Sequence, residues 1–442
     1  MADGGAARGA PRGVPDGRVH IVGAGLAGLS AALVLAEAGT PVSIWEASGH
    51  AGGRCRSFHD ARLDRLIDNG NHLILTGNQA VARYLTRAGT PDALHPAPDA
   101  SFPMVDLDNG NHFTLRLSDG LVPWWALDPT SRVPGTKALD YLGGWRLATA
   151  GPGATVADAV RDRGALWRGF WEPLTLAVLN TTPENGQARL LWRVIRETFL
   201  KGAGSSRPMF APEGLGTALV APALARLKSL GATISYGTTV RDLETTADTA
   251  IALDTSEGSI RLDPHDRLIL ALPPSRLSTV LPGSDPPKDD SAILNAHFVL
   301  DRTDEVADAP PLLGVLGGIA QWIFLRGDVV SITVSAADAL GIMSMPRDEL
   351  ISRIWGEVRV ALALRETNHT SARIIVEKRA TFDQSPSGVA KRRQPNTPLR
   401  NVFLAGDSTD TGLPATIEGA VLSGEIAAAL AMQAPIAAKG RE

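Results

Sequence analysis

Three glycines near the start of the chain have the spacing of a dinucleotide-binding turn. Gly23, Gly25 and Gly28 come directly after the β-branched run 19–22. We expect Gly23 to permit a tight turn, Gly25 to let a pyrophosphate approach the helix N-terminus, and Gly28 to let helix and strand pack closely. Glu46 ends the next predicted strand, where its carboxylate can accept hydrogen bonds from ribose hydroxyls. The pattern therefore predicts a parallel βαβ unit that binds a dinucleotide.

Two further segments favour a flavin as part of that dinucleotide. In the motif Gly52-Gly53-Arg54 the arginine can neutralise a phosphate or hydrogen-bond a flavin, with a solvated loop arginine as the alternative. Near the other end of the chain, Gly406 and Asp407 follow a predicted strand. Ligands collect at such strand ends, and the positive end of the next predicted helix can stabilise charge on a reduced flavin ring. A purely structural helix is the alternative there.

The pentapeptide Asp-Asn-Gly-Asn-His occurs twice, at 68–72 and at 108–112. The second copy lies between two alternating, strand-like runs, and Asn109-Gly110 predicts a two-residue hairpin turn with both residues at positive φ. The first copy follows the Gly-Gly-Arg loop. We therefore expect 68–72 to face a flavin and a substrate, and 108–112 to be only a turn.

The three glycine-containing segments resemble the flavoprotein superfamily of amine oxidases and phytoene desaturases, over nearly the whole chain. Several blocks more closely resemble the hydroxysqualene dehydroxylase family, namely GRCRSF, IDNGNH, GGIAQWIF, EKRATF and LAGDSTDTGLPATIEGA. Residues 415–418 lack the aromatic residue with which amine oxidases of the superfamily hold an amine. Ser408 departs from the family pattern, which more often has Trp there. The resemblance implies FAD, held noncovalently because the single cysteine, Cys55, is expected to be a small buried residue.

The resemblance also implies an α/β fold class, with a discontinuous Rossmann-like FAD-binding domain. The inserted substrate domain would combine a mixed sheet with helices, as in amine oxidases and phytoene desaturases. We expect FAD-binding segments at 18–76, 207–272 and 398–433, substrate-binding segments at 77–206 and 273–397, and flexible tails at 1–17 and 434–442. A length of 442 residues fits two such domains.

The motifs and the resemblance assign site residues in three groups. The expected FAD contacts are Gly23, Gly25, Leu26, Ala27, Gly28, Glu46, Gly53, Arg54, Val240, Gly406, Asp407, Thr416 and Ile417. The expected substrate contacts are Asn69 and Asn71, which would orient a substrate hydroxyl, and Trp322 and Phe324, on the wall of an apolar tunnel. The candidates for a catalytic acid are Asp68, His72 and Asp410, with Glu418 also open. His72 qualifies because histidine titrates near neutral pH. No metal site is expected.

Composition argues against several other classes of protein. A net charge of −4 gives no sign of nucleic-acid binding, and a single cysteine rules out an internal disulfide and argues against a zinc cluster. These features fit a reducing, cytoplasmic compartment. The longest apolar runs are too interrupted by polar residues to span a bilayer. Trp124 and Trp125 form either core or an exposed patch, so peripheral contact with the inner face of a membrane stays open.

The resemblance implies a reaction on a long-chain isoprenoid substrate. Reduced flavin would deliver hydride from N5 to an allylic cation, turning hydroxysqualene into squalene in bacterial squalene and hopanoid biosynthesis. An acid must help water leave, and an apolar tunnel must protect the cation. Functional coupling to the prenyl synthases that make hydroxysqualene follows, and the electron donor is left open. A carotenoid-type desaturase and a non-enzymatic prenyl-binding escort protein are the alternatives.

Overall fold

The computed structural model describes residues 17–120, 122–161 and 163–434 of the chain. The predicted tails 1–17 and 434–442 therefore lie almost entirely outside the described residues. The α-helices in the described part are, in chain order, α1 Leu26–Glu37, α2 Gln79–Ala88, α3 Trp145–Thr149, α4 Val156–Ala159, α5 Glu172–Leu179, α6 Ala188–Glu197, α7 Ala221–Ser229, α8 Pro274–Val280, α9 Arg347–Ala361, α10 Pro386–Ala390 and α11 Ile417–Gln433. Among the described residues, no helix combines the length and apolar character needed to cross a bilayer.

Shorter helical turns connect these helices. The 3₁₀ segments are Trp124–Leu127, Ala138–Gly144, Phe199–Lys201, Ala203–Ser205, Asp304–Val306 and Ile342–Ser344, and the wider π segments are Trp167–Trp171 and Gly216–Val220. Most of them lie between residues 122 and 206, where helices are also concentrated.

A five-stranded parallel sheet carries the glycine turn. Its strands lie in the order Thr233–Tyr236, Val42–Glu46, Val19–Val22, Arg267–Leu270 and Val402–Leu404. Alternate residues of a strand point to opposite faces. Val19 and Ile21 therefore pack with α1, α7 and α11, whereas Val22 packs with the antiparallel sheet Val240–Thr245, Ala250–Thr255 and Gly258–Arg261. The predicted strand–helix–strand unit is confirmed, and α1 is followed by Gly39 at a φ of 80°.

A seven-stranded mixed sheet forms the second large layer. Its strands lie in the order His369–Glu377, Ile293–Leu300, Val329–Val334, Trp322–Arg326, Leu312–Leu316, Ser101–Asp106 and Asn111–Arg116. Neighbours are antiparallel except for Leu312–Leu316 and Ser101–Asp106, which run parallel. One face packs on α9, and the tryptophan-rich helical layer has its own core.

Three small ribbons complete the strands. They are Ser57–Asp60 with Arg65–Asp68, Ile74–Leu75 and His95–Pro96 on either side of Pro208–Phe210, and Asp289–Asp290 with Thr381–Phe382. The first ribbon ends at Asp68, which is the first residue of the first copy of the repeated pentapeptide.

The second copy of the pentapeptide forms a hairpin, as predicted, but the predicted turn type is wrong. Ser101–Asp106 pairs with Asn111–Arg116 through a four-residue loop, not a two-residue one. Gly110 has a φ of 71°, whereas Asn109 does not take a positive φ. The reason is Asp106, whose carboxylate accepts hydrogen bonds from the Asp108 backbone N–H at 3.1 Å and from Asn109 Nδ2 at 2.9 Å. This side-chain cap stabilises the longer loop.

Candidate active site

The glycine turn leaves an open cradle at the N-terminus of α1. Gly23 has a φ of 105°, and a Cβ there would lie 2.4 Å from the Ala271 carbonyl oxygen. A Cβ at Gly28 would lie 1.9 Å from the Gly23 carbonyl oxygen, so helix and turn touch directly. Above Gly25, in contrast, a Cβ would meet no atom within 4 Å. No side chain caps this end of α1, so its first backbone N–H groups face the space that a pyrophosphate would fill.

Glu46 lies beside this cradle. Its Oε2 accepts a hydrogen bond from the Ala24 backbone N–H at 2.8 Å, and its Oε1 accepts one from the Ser48 N–H at 2.9 Å. Each oxygen keeps a further lone pair, as contact with ribose hydroxyls would require. The residues present therefore fit the dinucleotide part of FAD: the first turn of α1, which includes Leu26 and Ala27, for the phosphates and Glu46 for the ribose.

The Gly-Gly-Arg loop joins the cradle to the C-terminal segment. Gly52 and Gly53 have φ values of 104° and 57°, and the Gly52 N–H donates to the Ala24 carbonyl oxygen at 2.8 Å. Arg54 Nη2 donates to Asp407 Oδ1 at 2.8 Å, and Nη1 donates to the Ala380 carbonyl oxygen at 2.6 Å. Asp407 raises the pKa of Arg54. The arginine thus holds three distant segments together at the side where a flavin ring would lie.

Helix α11 packs on α1 almost backbone to backbone. A Cβ at Gly424 would lie 2.2 Å from the Ala27 carbonyl oxygen, and Ser30 Oγ donates to the Val421 carbonyl oxygen at 2.8 Å. The small residues of α11, among them Gly424, Ala427 and Ala428, make this close approach possible. Gly406, at a φ of 123°, donates its N–H to Ser423 Oγ at 2.8 Å, which fixes the strand end against the helix.

The other predicted FAD contacts lie around this assembly. Val240 is buried where the antiparallel sheet begins, and its carbonyl oxygen already accepts a hydrogen bond from Arg276 Nη2 at 3.2 Å. Thr416 caps α11 through a 3.1 Å hydrogen bond from the Gly419 N–H. Thr416 and Ile417 both line a cavity, so the N-terminus of α11 faces it.

That cavity has a volume of about 430 Å³. At one end it touches Ala380, Thr416 and Ile417, beside the C-terminal segment. From there its wall is mainly apolar and runs between the mixed sheet and the helical layer. The apolar lining residues are Leu73, Ile74, Leu75, Phe102, Met104, Leu115, Phe170, Leu174, Val178, Val194, Phe199 and Trp322. The arrangement can shield a long apolar molecule from water.

Of the first pentapeptide copy, Asn71 and His72 line the cavity. Asn71 Nδ2 donates to Thr333 Oγ1 at 3.0 Å and to Asn295 Oδ1 at 3.4 Å, so its own Oδ1 is left to accept a hydrogen bond. Thr333 Oγ1 donates to Asn295 Oδ1 at 2.9 Å. Asn69 contributes its carbonyl oxygen, which accepts from Asn295 Nδ2 at 3.4 Å, and its side chain is not part of the cavity wall.

His72 is neutral near pH 7, in contrast to the near-neutral titration expected from its sequence. Burial lowers its pKa to about 4, partly opposed by Asp68, and the charge of Arg54 lowers it further. The ring has no hydrogen-bond partner among the described residues. It is therefore free to donate an N–H to a molecule in the cavity.

Asp68 is buried beneath the cavity and does not line it. Its carboxylate accepts hydrogen bonds from Ser57 Oγ, from the Leu215 backbone N–H at 2.9 Å and from Arg326 Nη1 at 2.8 Å. Three elements are joined in this way: the small ribbon, the segment before α7 and the mixed sheet. This geometry favours an anchoring role for Asp68 over proton donation.

The remaining acidic candidates are engaged elsewhere. Asp410 is exposed, bonded to the Gly412 N–H at 3.1 Å, and lies outside the cavity lining. Glu418 lines the cavity, but its two oxygens accept from the Ala80 and Val81 N–H groups at 2.8 Å and 3.0 Å and so cap α2. Burial raises the pKa of Glu418.

Of the two substrate contacts predicted on the mixed sheet, only one reaches the cavity. Trp322 lines the cavity, whereas Phe324 packs against the helical core without lining it. Asn295 and Thr333, which orient Asn71, are not among the site residues predicted from the sequence. Their signal was available, because each is a polar residue inside a mainly apolar strand.

Comparison with known proteins gives the family. The model of the family described as flavin containing amine oxidoreductase matches residues 26–432. Hydroxysqualene dehydroxylases from Sinorhizobium fredii and Rhodopseudomonas palustris are each 42% identical to this chain, over 94% of it and 98% of their own length. Cyclohexylamine oxidase from Brevibacterium oxydans shares the fold, with a TM-score of 0.69 and 17% identity over 95% of this chain and 99% of its own. The chain belongs to the flavin-containing amine oxidoreductases, FAD-dependent oxidoreductases, and among them to the hydroxysqualene dehydroxylase family.

Proposed function

We propose that the protein catalyses the FAD-dependent reductive dehydroxylation of hydroxysqualene to squalene. The observation that carries this proposal is the apolar cavity, which meets the C-terminal segment at Thr416 and Ile417 and has Asn71 and His72 in its wall. An amine substrate would call for aromatic or acidic groups at that end. The cavity wall there instead offers an amide, a neutral imidazole and aliphatic side chains. The acidic residue at that end, Glu418, already accepts hydrogen bonds from the Ala80 and Val81 N–H groups.

The reaction replaces a C–OH bond with a C–H bond. Hydroxysqualene, a hydride and a proton yield squalene and water, so two electrons must come from a reductant. Bound FAD, once reduced, would supply the hydride and be oxidised. The first turn of α1, Glu46 and the Arg54–Asp407 pair would hold it.

Asn71 and His72 suit the leaving hydroxyl. The oriented Asn71 leaves Oδ1 as an acceptor for the hydroxyl proton, and the His72 ring has an N–H that can donate to the hydroxyl oxygen. These two contacts fix the C–O bond in one direction. The small fraction of protonated His72 supplies the proton that turns the hydroxyl into water.

The apolar wall serves the cation that forms as water leaves. Leu73, Phe170 and Trp322 offer carbon surfaces that do not trap a cation covalently, and an aromatic face stabilises positive charge. Exclusion of bulk water prevents the cation from regaining a hydroxyl.

The experiment is anaerobic single turnover. The FAD-loaded protein is photoreduced, mixed with hydroxysqualene, and analysed for squalene and for the absorbance of reoxidised flavin. Squalene formed in proportion to reoxidation is the expected result. Unchanged hydroxysqualene beside reducible flavin would contradict the proposal, and removal of hydrogens from an added polyene by the oxidised protein would favour a desaturase.

The setting of the reaction follows from the substrate. A prenyl synthase that makes hydroxysqualene would supply it, and a separate cytoplasmic electron donor would reduce the flavin after each turnover. Because hydroxysqualene is almost wholly apolar, we place the enzyme at the inner membrane surface as a peripheral protein.

A further inference from the structure

Six large apolar side chains are exposed close together in the helical layer. Among the described residues, eleven large hydrophobic side chains are substantially exposed, and six of these lie between positions 122 and 145. They are Val122 at 49%, Trp124 at 60%, Leu127 at 61%, Leu139 at 74%, Leu142 at 57% and Trp145 at 57%. We call these six residues the apolar patch. Such a concentration marks an interaction surface.

The local backbone explains why the patch points outward. Residues three apart lie on one face of a 3₁₀-helix. Trp124 and Leu127 share a face of one such helix, and Leu139 and Leu142 share a face of the next. The opposite faces are packed: Trp125 meets Tyr141 edge to face at 5.0 Å. The two helices are therefore held rigidly, with their apolar faces left in solvent.

The surroundings of the patch are positively charged. Segment 122–201 contains ten Lys and Arg against seven Asp and Glu, although the whole chain has a net charge of −4. A groove of about 360 Å³ next to Trp145 is lined by Arg146, Arg161 and Asp158 among others. Neither arginine forms an ion pair with a described residue, while Asp158 accepts from the Thr155 N–H at 3.0 Å.

The patch lies one helix away from the cavity. Trp145 packs on Trp192 of α6, with ring centroids 5.2 Å apart. The next turn of α6 supplies Arg193, Val194 and Glu197 to the cavity wall. A body that covers the patch would therefore lie beside the helix that borders the substrate space.

We propose that the apolar patch and the Arg146–Arg161 groove dock the enzyme on a bilayer that contains anionic phospholipid. Tryptophan prefers the membrane interface, basic side chains are attracted to anionic headgroups, and apolar side chains enter the acyl boundary. The proposal rests on the proposed function in one respect, because an isoprenoid alcohol of this length dissolves in lipid. Docking then brings the cavity to the phase that holds the substrate.

Vesicle sedimentation with the FAD-loaded full chain tests the proposal. Vesicles of phosphatidylcholine alone are compared with vesicles that also contain phosphatidylglycerol. We expect binding to the anionic vesicles, weakened on the order of tenfold in a Leu139→Ser/Leu142→Ser variant. A matched Leu340→Ser/Val360→Ser variant, which changes exposed residues elsewhere, keeps wild-type binding. The flavin spectrum and melting curve of each variant show that it is folded.

A second pair of variants tests the charge. Arg146→Gln/Arg161→Gln reduces the preference for anionic vesicles and the loss of binding at high salt, whereas Arg359→Gln on α9 changes neither. Equal weakening by the patch variant and its matched control would overturn the proposal, as would absence of vesicle binding by the wild type. A wild-type dimer that the patch variant dissociates, with vesicle binding unchanged, would assign the patch to a second copy and also overturn it.

Activity separates this proposal from the proposed function. The same preparations are assayed on hydroxysqualene dispersed in detergent. Squalene formation without vesicle binding contradicts the docking alone. Vesicle binding without squalene formation supports the docking and contradicts the proposed function.

Discussion

The two copies of Asp-Asn-Gly-Asn-His have the same five residues and opposite surroundings. In the copy at 68–72 the aspartate is buried under three donors, and the histidine lines a cavity with a pKa lowered to about 4. In the copy at 108–112 the aspartate and the histidine are exposed, and Asp108 pairs with Arg168 of the π segment Trp167–Trp171. The same five residues therefore have different roles in the two copies. Tertiary contacts, and not the local sequence, determine which of their side chains are buried and what those side chains contact. Each position of one copy offers a control for the other.

The largest expected difference is between the two histidines. We expect His72→Ala to lower the turnover of hydroxysqualene about 10²–10⁴-fold, because the proton and the hydrogen bond to the leaving oxygen are lost. His112→Ala should leave turnover unchanged. Rapid quench of photoreduced enzyme measures both. Equal losses from two folded variants would remove the distinction between the copies.

Substitution of the two aspartates should change the free energy of unfolding by different amounts. Asp68→Asn removes the charge that faces Arg326 in a buried site, and we expect the free energy of unfolding to fall by roughly 3 kcal/mol. Asp108→Asn changes an exposed residue and should stay within about 0.5 kcal/mol of the wild type. Urea denaturation of the FAD-loaded proteins gives both values. If Asp68→Asn were as stable as Asp108→Asn, Asp68 would not anchor the three elements.

The pH dependence should sharpen the contrast. The unfolded chain protonates His72 at its ordinary pKa of about 6.5, whereas the folded chain protonates it only near 4, so protons favour unfolding in that interval. The free energy of unfolding should therefore fall as the pH drops from 6.5 towards 4, by up to about 1.4 kcal/mol per unit from His72.

The control for this slope is built into the chain. Burial also lowers the pKa of His297 to about 4, and that residue remains in every variant. His72→Ala should thus reduce the slope without abolishing it, and His112→Ala should keep the wild-type slope. A slope unaffected by His72→Ala would refute the neutral, buried imidazole.

The smallest expected effect comes from loss of the hydrogen bond that orients Asn71. Thr333→Val removes the acceptor that holds Asn71 Nδ2, and we expect the KM for hydroxysqualene to rise about 2- to 10-fold with a smaller change in kcat. Asn111→Ala, at the matching position of the hairpin, should alter neither constant. A change confined to kcat would show that Asn71 acts at a later step than substrate positioning.

Local rules predict the cradle well. Gly23 also lies against the distant Ala271 carbonyl oxygen, but Gly28 contacts Gly23 and Ile21, which are near in sequence, so spacing alone defines its role. The hairpin at 101–116 is predictable for the same reason. Its turn type is not, since Asp106, two residues before the pentapeptide, caps the loop and changes its length.

The polar wall of the cavity depends on distant partners. Asn71 is oriented by Asn295 and Thr333, which lie more than 220 positions further along the chain and are brought together by antiparallel pairing. The lowered pKa of His72 likewise results from burial by several segments. Sequence patterns name these residues as polar but give no distance between them, so the identity of a proton donor needed the three-dimensional structure.

The contact between α1 and α11 has a consequence for biosynthesis. The ribosome makes α1 first, and the helix and edge strand that complete its sheet come from residues 402–433. At about 5–20 residues per second, the N-terminal unit waits roughly 20–80 s for them. During that time the small-residue flank of α1 is exposed to solvent, and we expect chaperones to bind it. The FAD contacts that we expect from residues 402–433 can form only after this wait, so we expect cofactor capture to follow the synthesis of α11.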